Sequence, residues 1–221
     1  FIYSYKTGQK NGYLVTGSNI ITEKGDTLEL SDFSFSDDQK KMLIAVNSEA
    51  IYRHSSISDY YVYDLDSKKV TAVSDAGKQR LVSFSPDGSK VAFVRNNNLF
   101  IKDLISLTET PVTTDGLNNS IIYGTTDWVY EEEFAITQGF WWSKDGSKLA
   151  YYRFDESKVK EFSFPEYGSL YPSNYTYKYP KAGEDNSIVS VHIYNLNDKK
   201  SIAVDLGSET DQYIPRVQWS N

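Results

Sequence analysis

Two short stretches of the 221-residue chain carry side chains whose types and spacing could do chemistry. Asp127-Trp128-Val129-Tyr130-Glu131-Glu132-Glu133-Phe134 sets three consecutive carboxylates among bulky aromatics, and Tyr52-Arg53-His54 sets a guanidinium beside two rings. Thr126 or Asp127 can cap a short helix, placing the three glutamates early in it, where negative charge is favourable. On one reading the acids are solvated helix-start residues and Arg53 is a surface arginine paired to a nearby acid. On the other, three rigidly held carboxylates repel one another unless something positive sits among them, and Trp128, Tyr130 and Phe134 are the anchors that would hold them. A cation such as a peptide α-amine satisfies that field. Arginine matches carbonyl or carboxylate oxygens with a fixed fork, so Arg53 on a ligand carbonyl and glutamates on its ammonium would form a clamp, provided the two stretches meet.

Other chemistries lack their residues. There is no cysteine, hence no disulfide framework, thiolate nucleophile or Cys-ligated metal. Two histidines, His54 and His192, do not make a histidine-rich metal site, and neither a metal nor a cofactor is expected. Gly-x-Ser-x-Gly, the phosphate-binding loop and the dinucleotide fingerprint are absent. A glycosidase needs two carboxylates across a sugar, and the adjacent Glu132 and Glu133 are poorly placed for that. Lys and Arg number 23 against 30 Asp and Glu, a net charge of −7 with no basic run, so no nucleic-acid partner is expected. No stretch approaches the roughly 18 apolar residues of a membrane-spanning helix. Asn118-Asn119-Ser120 and Asn174-Tyr175-Thr176 match the weak glycosylation pattern.

The elements that must position these groups read as strands. Aromatics make up 15% of the chain, a composition that favours sheets. Short apolar runs at Thr27 to Phe35, Lys41 to Val46, Tyr60 to Leu65, Val70 to Val73, Val91 to Val94 and Leu99 to Leu104 are separated by turns. A block repeats: Phe84-Ser85-Pro86-Asp87-Gly88-Ser89-Lys90 recurs as Trp142-Ser143-Lys144-Asp145-Gly146-Ser147-Lys148, in degraded form at Phe35-Ser36-Asp37-Asp38-Gln39-Lys40, and as an opening at Trp219-Ser220-Asn221. Strands close on Asp64-Leu65, Asp103-Leu104 and Asn195-Leu196. The shortest repeat step is near the roughly 40–50 residues of a four-stranded propeller blade. Stacking such sheets around an axis buries faces that no single sheet could bury. A β-sandwich explains the short strands but not the repeated block. The fold expected is all-β, a partial propeller interrupted by loops at residues 47–58 and 123–134. A third excursion, Arg153 to Pro180, is rich in tyrosine and is expected to pack on neighbouring blades. The chain begins at Phe1 with no signal peptide and ends as a repeat opens, so it reads as a mature product or an excised piece.

Asp127 to Phe134, with Phe140 to Tyr151, Tyr179-Pro180-Lys181-Ala182-Gly183 and Tyr52-Arg53-His54-Ser55, closely resembles the dipeptidyl peptidase IV family of the prolyl oligopeptidase clan. The sequence flavour looks bacterial. The resemblance implies that residues 1–221 are the first half of an eight-bladed N-terminal propeller, with the other blades and an α/β-hydrolase domain elsewhere. It implies a serine exopeptidase releasing Xaa-Pro or Xaa-Ala dipeptides, with no catalytic residue in this stretch. Glu132 and Glu133 would bind the substrate α-ammonium and Arg53 its second carbonyl. Glu131, Trp128 and Tyr130 would support them. The implied partners are peptides with a free N-terminus, the chain's own hydrolase domain and a second copy in a homodimer. The implied location is periplasmic, secreted or membrane-anchored. The alternative is a non-catalytic propeller scaffold for protein binding, and an incomplete ring is expected to associate through open blade edges.

Overall fold

The computed structural model describes residues 1–16, 20–22 and 24–220. Val91, Ala92, Phe93 and Val94 are all buried although they point alternately to opposite faces of one strand, so both faces of that sheet are covered. Val91 and Phe93 pack with Leu43 and Val62 of the preceding sheet. Ala92 and Val94 pack with Tyr123, Phe140, Leu149 and Tyr151 of the following one. Full burial of a side chain such as Phe93 contributes about 2–3 kcal/mol, and the stacking repeats it from sheet to sheet.

Strands β1 (Ile2–Tyr3) and β2 (Lys10–Gly12) form a small ribbon. The first four-stranded antiparallel sheet is β3 (Asp32–Phe35), β4 (Lys41–Ala50), β5 (Ser56–Asp64) and β6 (Val70–Ala72) in chain order. The second is β7 (Arg80–Phe84), β8 (Lys90–Arg95), β9 (Asn98–Asp103) and β10 (Glu109–Pro111). The third joins β11 (Ile121–Tyr123) and β12 (Phe140–Trp142), both on β13 (Lys148–Asp155), to β16 (Ile188–Asn195) and β17 (Lys200–Ala203). Helix α1 (Trp128–Phe134) lies between β11 and β12, and the hairpin of β14 (Glu161–Glu166) and β15 (Ser173–Lys178) is inserted after β13. The result, among the described residues, is an open, unclosed propeller-like stack of antiparallel sheets with one short helix. Thr27 makes only an isolated bridge to Ile21, so the strand expected from Thr27 begins at Asp32 instead.

The repeated block has a local cause. In each copy the serine hydroxyl donates to the aspartate two residues on: Ser36 to Asp38 at 2.7 Å, Ser85 to Asp87 at 2.6 Å and Ser143 to Asp145 at 2.6 Å. The same hydroxyl accepts the amide of Lys41, Lys90 or Lys148 as the next strand begins. The Ser85 and Ser143 hydroxyls, with the bonds from Ser89 and Ser147, pull the Asp87 and Asp145 carboxyls down to about 2. Gly88 and Gly146 take the left-handed backbone the turn requires (φ 65° and 67°), and Gln39 takes it in the degraded copy (φ 57°). The Asp-Leu and Asn-Leu endings tie the other end of each sheet back. The amides of Leu65, Leu104 and Leu196 donate to the carbonyls of Lys40, Ser89 and Ser147 in these same turns. Of the copy expected at the C-terminus, Asn221 lies outside the described residues, and the indole of Trp219 donates to the Trp141 carbonyl at 3.1 Å.

Candidate functional site

Asp127 is the helix cap. Its carboxylate accepts the Tyr130 amide at 2.9 Å and the Ser187 hydroxyl at 2.7 Å. Burial pushes the Asp127 carboxyl up. Thr126 is not the cap: its hydroxyl donates to the Ile136 carbonyl at 2.6 Å, closing the far end of the segment. The helix then runs for 7 residues, which puts Glu131 in its first turn and carries Glu132 and Glu133 beyond it. Sequence reasoning grouped all three early in the helix. Tyr130 is the anchor of the inner face. It is fully buried, its ring meets Phe134, Tyr152 and Phe154, and its hydroxyl accepts the Ile214 amide at 2.7 Å. Desolvation pushes the Tyr130 phenol up to about 12.

The excursion at 47–58 is mostly hairpin. Strands β4 and β5 continue through it past an irregularity between Val46 and Glu49, leaving only residues 51–55 as a loop. That loop reaches α1. Glu131 is 0% exposed, and its Oε1 accepts the amides of His54 at 2.7 Å and Ser55 at 2.9 Å. One residue on, the Arg53 Nε lies 3.2 Å from Glu132 Oε2, with the arginine side chain 73% exposed and the glutamate 16%. Two stretches almost eighty residues apart therefore form one site. Its three acids differ: Glu131 is tied to backbone, Glu132 is paired with Arg53, and Glu133 is exposed, with no cation paired to it among the described residues. A groove of about 560 Å³ opens beside Glu133, lined by Trp128, Phe134, Tyr179, Lys181 and Tyr213 among others.

The arm formed by β14 and β15 divides. Tyr177 meets the rings of Tyr52 (5.8 Å) and Trp128 (6.5 Å), Tyr179 meets Trp128 at 4.5 Å, and the Tyr175 hydroxyl reaches the Ile51 carbonyl at 3.4 Å. Its tip does not pack: Tyr167 is 79% exposed and Tyr171 80%. The expectation that the excursion packs therefore holds for its start, where Phe154 and Val159 are buried, and for the β15 side, but not for the exposed tip.

Sequence reasoning passed over Gln79, Arg80 and Glu156. Burial raises the Glu156 carboxyl to about 8, with Asp127 adding to the rise and Lys178 and Arg80 opposing it. The available signal was polarity out of place, a Gln-Arg pair opening an apolar strand and an acid following the Asp155 that ends β13. Among the described residues no cluster of three His, Asp or Glu is placed to hold a metal ion, and no helix is long and apolar enough to cross a membrane.

Residues 36–221 match the family described as the dipeptidyl peptidase IV (DPP IV) N-terminal region. The chain belongs to this family. Among curated relatives of this DPP IV-type chain, a probable dipeptidyl-aminopeptidase B of Talaromyces marneffei is 32% identical, over 98% of the chain and 26% of the relative. The dipeptidyl aminopeptidase B of Saccharomyces cerevisiae is 36% identical, over 86% of the chain and 24% of the relative. The crystal structure of Porphyromonas gingivalis dipeptidyl peptidase 4 superimposes with a TM-score of 0.90 at 44% identity, over 97% of the chain and 30% of that structure. A putative dipeptidyl aminopeptidase IV from Bacteroides ovatus gives 0.63 at 26% identity, over 94% of the chain and 27% of that structure. The chain thus spans about a quarter of the length of the curated relatives it matches.

Proposed function

We propose that residues 1–221 are the substrate-recognition part of a serine exopeptidase that releases Xaa-Pro or Xaa-Ala dipeptides from peptide N-termini. In this reading they are the first half of an eight-bladed propeller whose remaining blades and C-terminal hydrolase domain lie outside this stretch, and alone they are inactive. Family membership supports a dipeptidyl-peptidase-type role. The observation that carries the site assignment is the Arg53–Glu132 contact beside an exposed Glu133 that has no paired cation among the described residues. The ammonium enters between Glu132 and Glu133, which measure two residues from the free amine. The exposed guanidinium of Arg53, braced by Glu132, donates to the carbonyl of the substrate's second residue. Glu131, Trp128 and Tyr130 hold the three in place. Preorganised donors and carboxylates of this kind act strongly because they do not reorganise when the ligand arrives. A homodimeric full-length enzyme, in the periplasm, secreted or membrane-anchored, belongs to the same reading. A bacterial source draws support from the two bacterial structures and none from the fungal relatives.

The test is kcat/KM of the full-length protein on a Gly-Pro chromogenic substrate, wild type against Glu132→Gln with Glu133→Gln. A loss of about 10² or more, with an N-acetylated substrate cleaved poorly by both, is expected if the pair binds the ammonium. Near-equal rates would refute the glutamate assignment. Absence of turnover in the wild type would leave the scaffold reading.

A further inference from the structure

Beneath the clamp lies a charge that the recognition reading does not use. The side-chain Nε and Nη2 of Arg80 are buried and have no hydrogen-bond partner among the described residues, and the same is true of Glu131 Oε2. Arg80 and Glu131 make no direct ion pair or hydrogen bond, so the carboxylate that acts most strongly on this guanidinium does so across a gap, with Tyr52, Tyr175 and Glu156 also around it. A guanidinium out of water is costly unless an opposite charge answers it.

The backbone is built to aim this side chain. Gln79, immediately before it, exchanges backbone bonds with Ser58 at 2.9 and 2.8 Å, and its side-chain Oε1 accepts the Tyr60 amide at 3.0 Å. The start of β7 is thus fastened to the strand that leaves the 51–55 loop. Immediately after Arg80 the β7–β8 register breaks, and Leu81 sits at φ 58°, a left-handed conformation that costs a non-glycine residue about 1 kcal/mol or more. Such irregularities re-aim side chains next to functional sites.

We propose that Arg80 is a positioning residue for the clamp: it is the buried counter-charge to Glu131, and through Glu131's bonds to His54 and Ser55 it fixes the 51–55 loop that carries Arg53. This rests on the reading of Arg53 as a substrate contact. Arg80 touches no substrate. Without it Glu131 stands buried and unanswered, its grip on the two amides weakens, and Arg53 is free to leave Glu132.

Two readouts keep the inference separate from the recognition reading. The first is amide hydrogen exchange of this chain, comparing wild type, Arg80→Met and Arg80→Lys. Exchange at His54 and Ser55 is expected to rise at least about tenfold in Arg80→Met and to stay within about threefold of wild type in Arg80→Lys, with the β8 amides unchanged in both. Unchanged loop exchange in a folded Arg80→Met refutes the proposal. So does equal loosening by Lys and Met, since charge would then not be the agent, or parallel acceleration in β8, which marks general destabilisation. The second is steady-state kinetics of the full-length protein. Arg80→Met is expected to raise KM at least about fivefold with kcat within about twofold. A fall in kcat alone refutes the role. A wild type that releases no dipeptide refutes the recognition reading, and the exchange result then still decides whether Arg80 holds the loop.

Discussion

Replacing Glu131 by Gln keeps the size of the side chain and an oxygen that can accept, but removes the charge. Two amide bonds depend on that oxygen, from His54 at 2.7 Å and Ser55 at 2.9 Å, at a site with no solvent exposure. A hydrogen bond to an ionised group contributes about 1.5–3 kcal/mol net, against about 0.5–1.5 for a neutral one. The loss is therefore roughly 1 kcal/mol per bond and about 2 kcal/mol for the pair. Two kcal/mol is close to thirtyfold in the local opening equilibrium. Hydrogen exchange read by NMR at His54 and Ser55 should accelerate by about that factor in Glu131→Gln, while Ile44, at the centre of β4 and fully buried, serves as the reference and should not change. A change below about threefold with Ile44 unaffected would mean that something other than this carboxylate holds the loop, and the account of how Arg53 is placed would be wrong.

Two further outcomes follow from the same structure. Glu156 keeps its proton in the fold up to about pH 8, whereas in the unfolded chain it releases it near 4.5, so its contribution makes stability fall as pH rises between those values. Glu156→Gln should thus gain little at pH 5 and on the order of a few kcal/mol at pH 8 in urea unfolding, and an equal gain at both pH values would refute the assignment. Gln39→Gly should raise stability by about 0.5–1 kcal/mol, since it relieves a left-handed residue at the position where Gly88 and Gly146 stand in the other copies; a lowered melting temperature would show that the Gln39 side chain contributes more than its backbone costs.

What could be read in advance followed from local periodicity and turn chemistry. The strands at Lys41 to Val46, Val91 to Val94 and Leu99 to Leu104, and the Ser-x-Asp-Gly turns, depend on neighbours within a few residues. The helix after Asp127 was legible for the same reason, but its phase was not: only the packed structure shows that Glu131 turns inward while Glu133 stays in water. The Arg53–Glu132 meeting could be imagined from charge but not located, because it depends on how adjacent sheets stack. Arg80 and Glu156 were missed outright. Nothing in the spacing of a single polar residue at a strand edge distinguishes one facing solvent from one turned under a loop by an irregular residue such as Leu81.

The bonds that assemble the site span 76, 77 and 79 residues of chain, whereas the β3–β4 and β8–β9 ladders join residues no more than 13 positions apart. Contacts of large sequence separation carry a loop-closure entropy that short ones do not, and they form late for that reason. During refolding, the sheets around Ile44 and Phe93 would be protected while Arg53 and Glu132 were still apart. The order of maturation expected from these separations thus runs from scaffold to site: the sheets close before Arg53 and Glu132 meet.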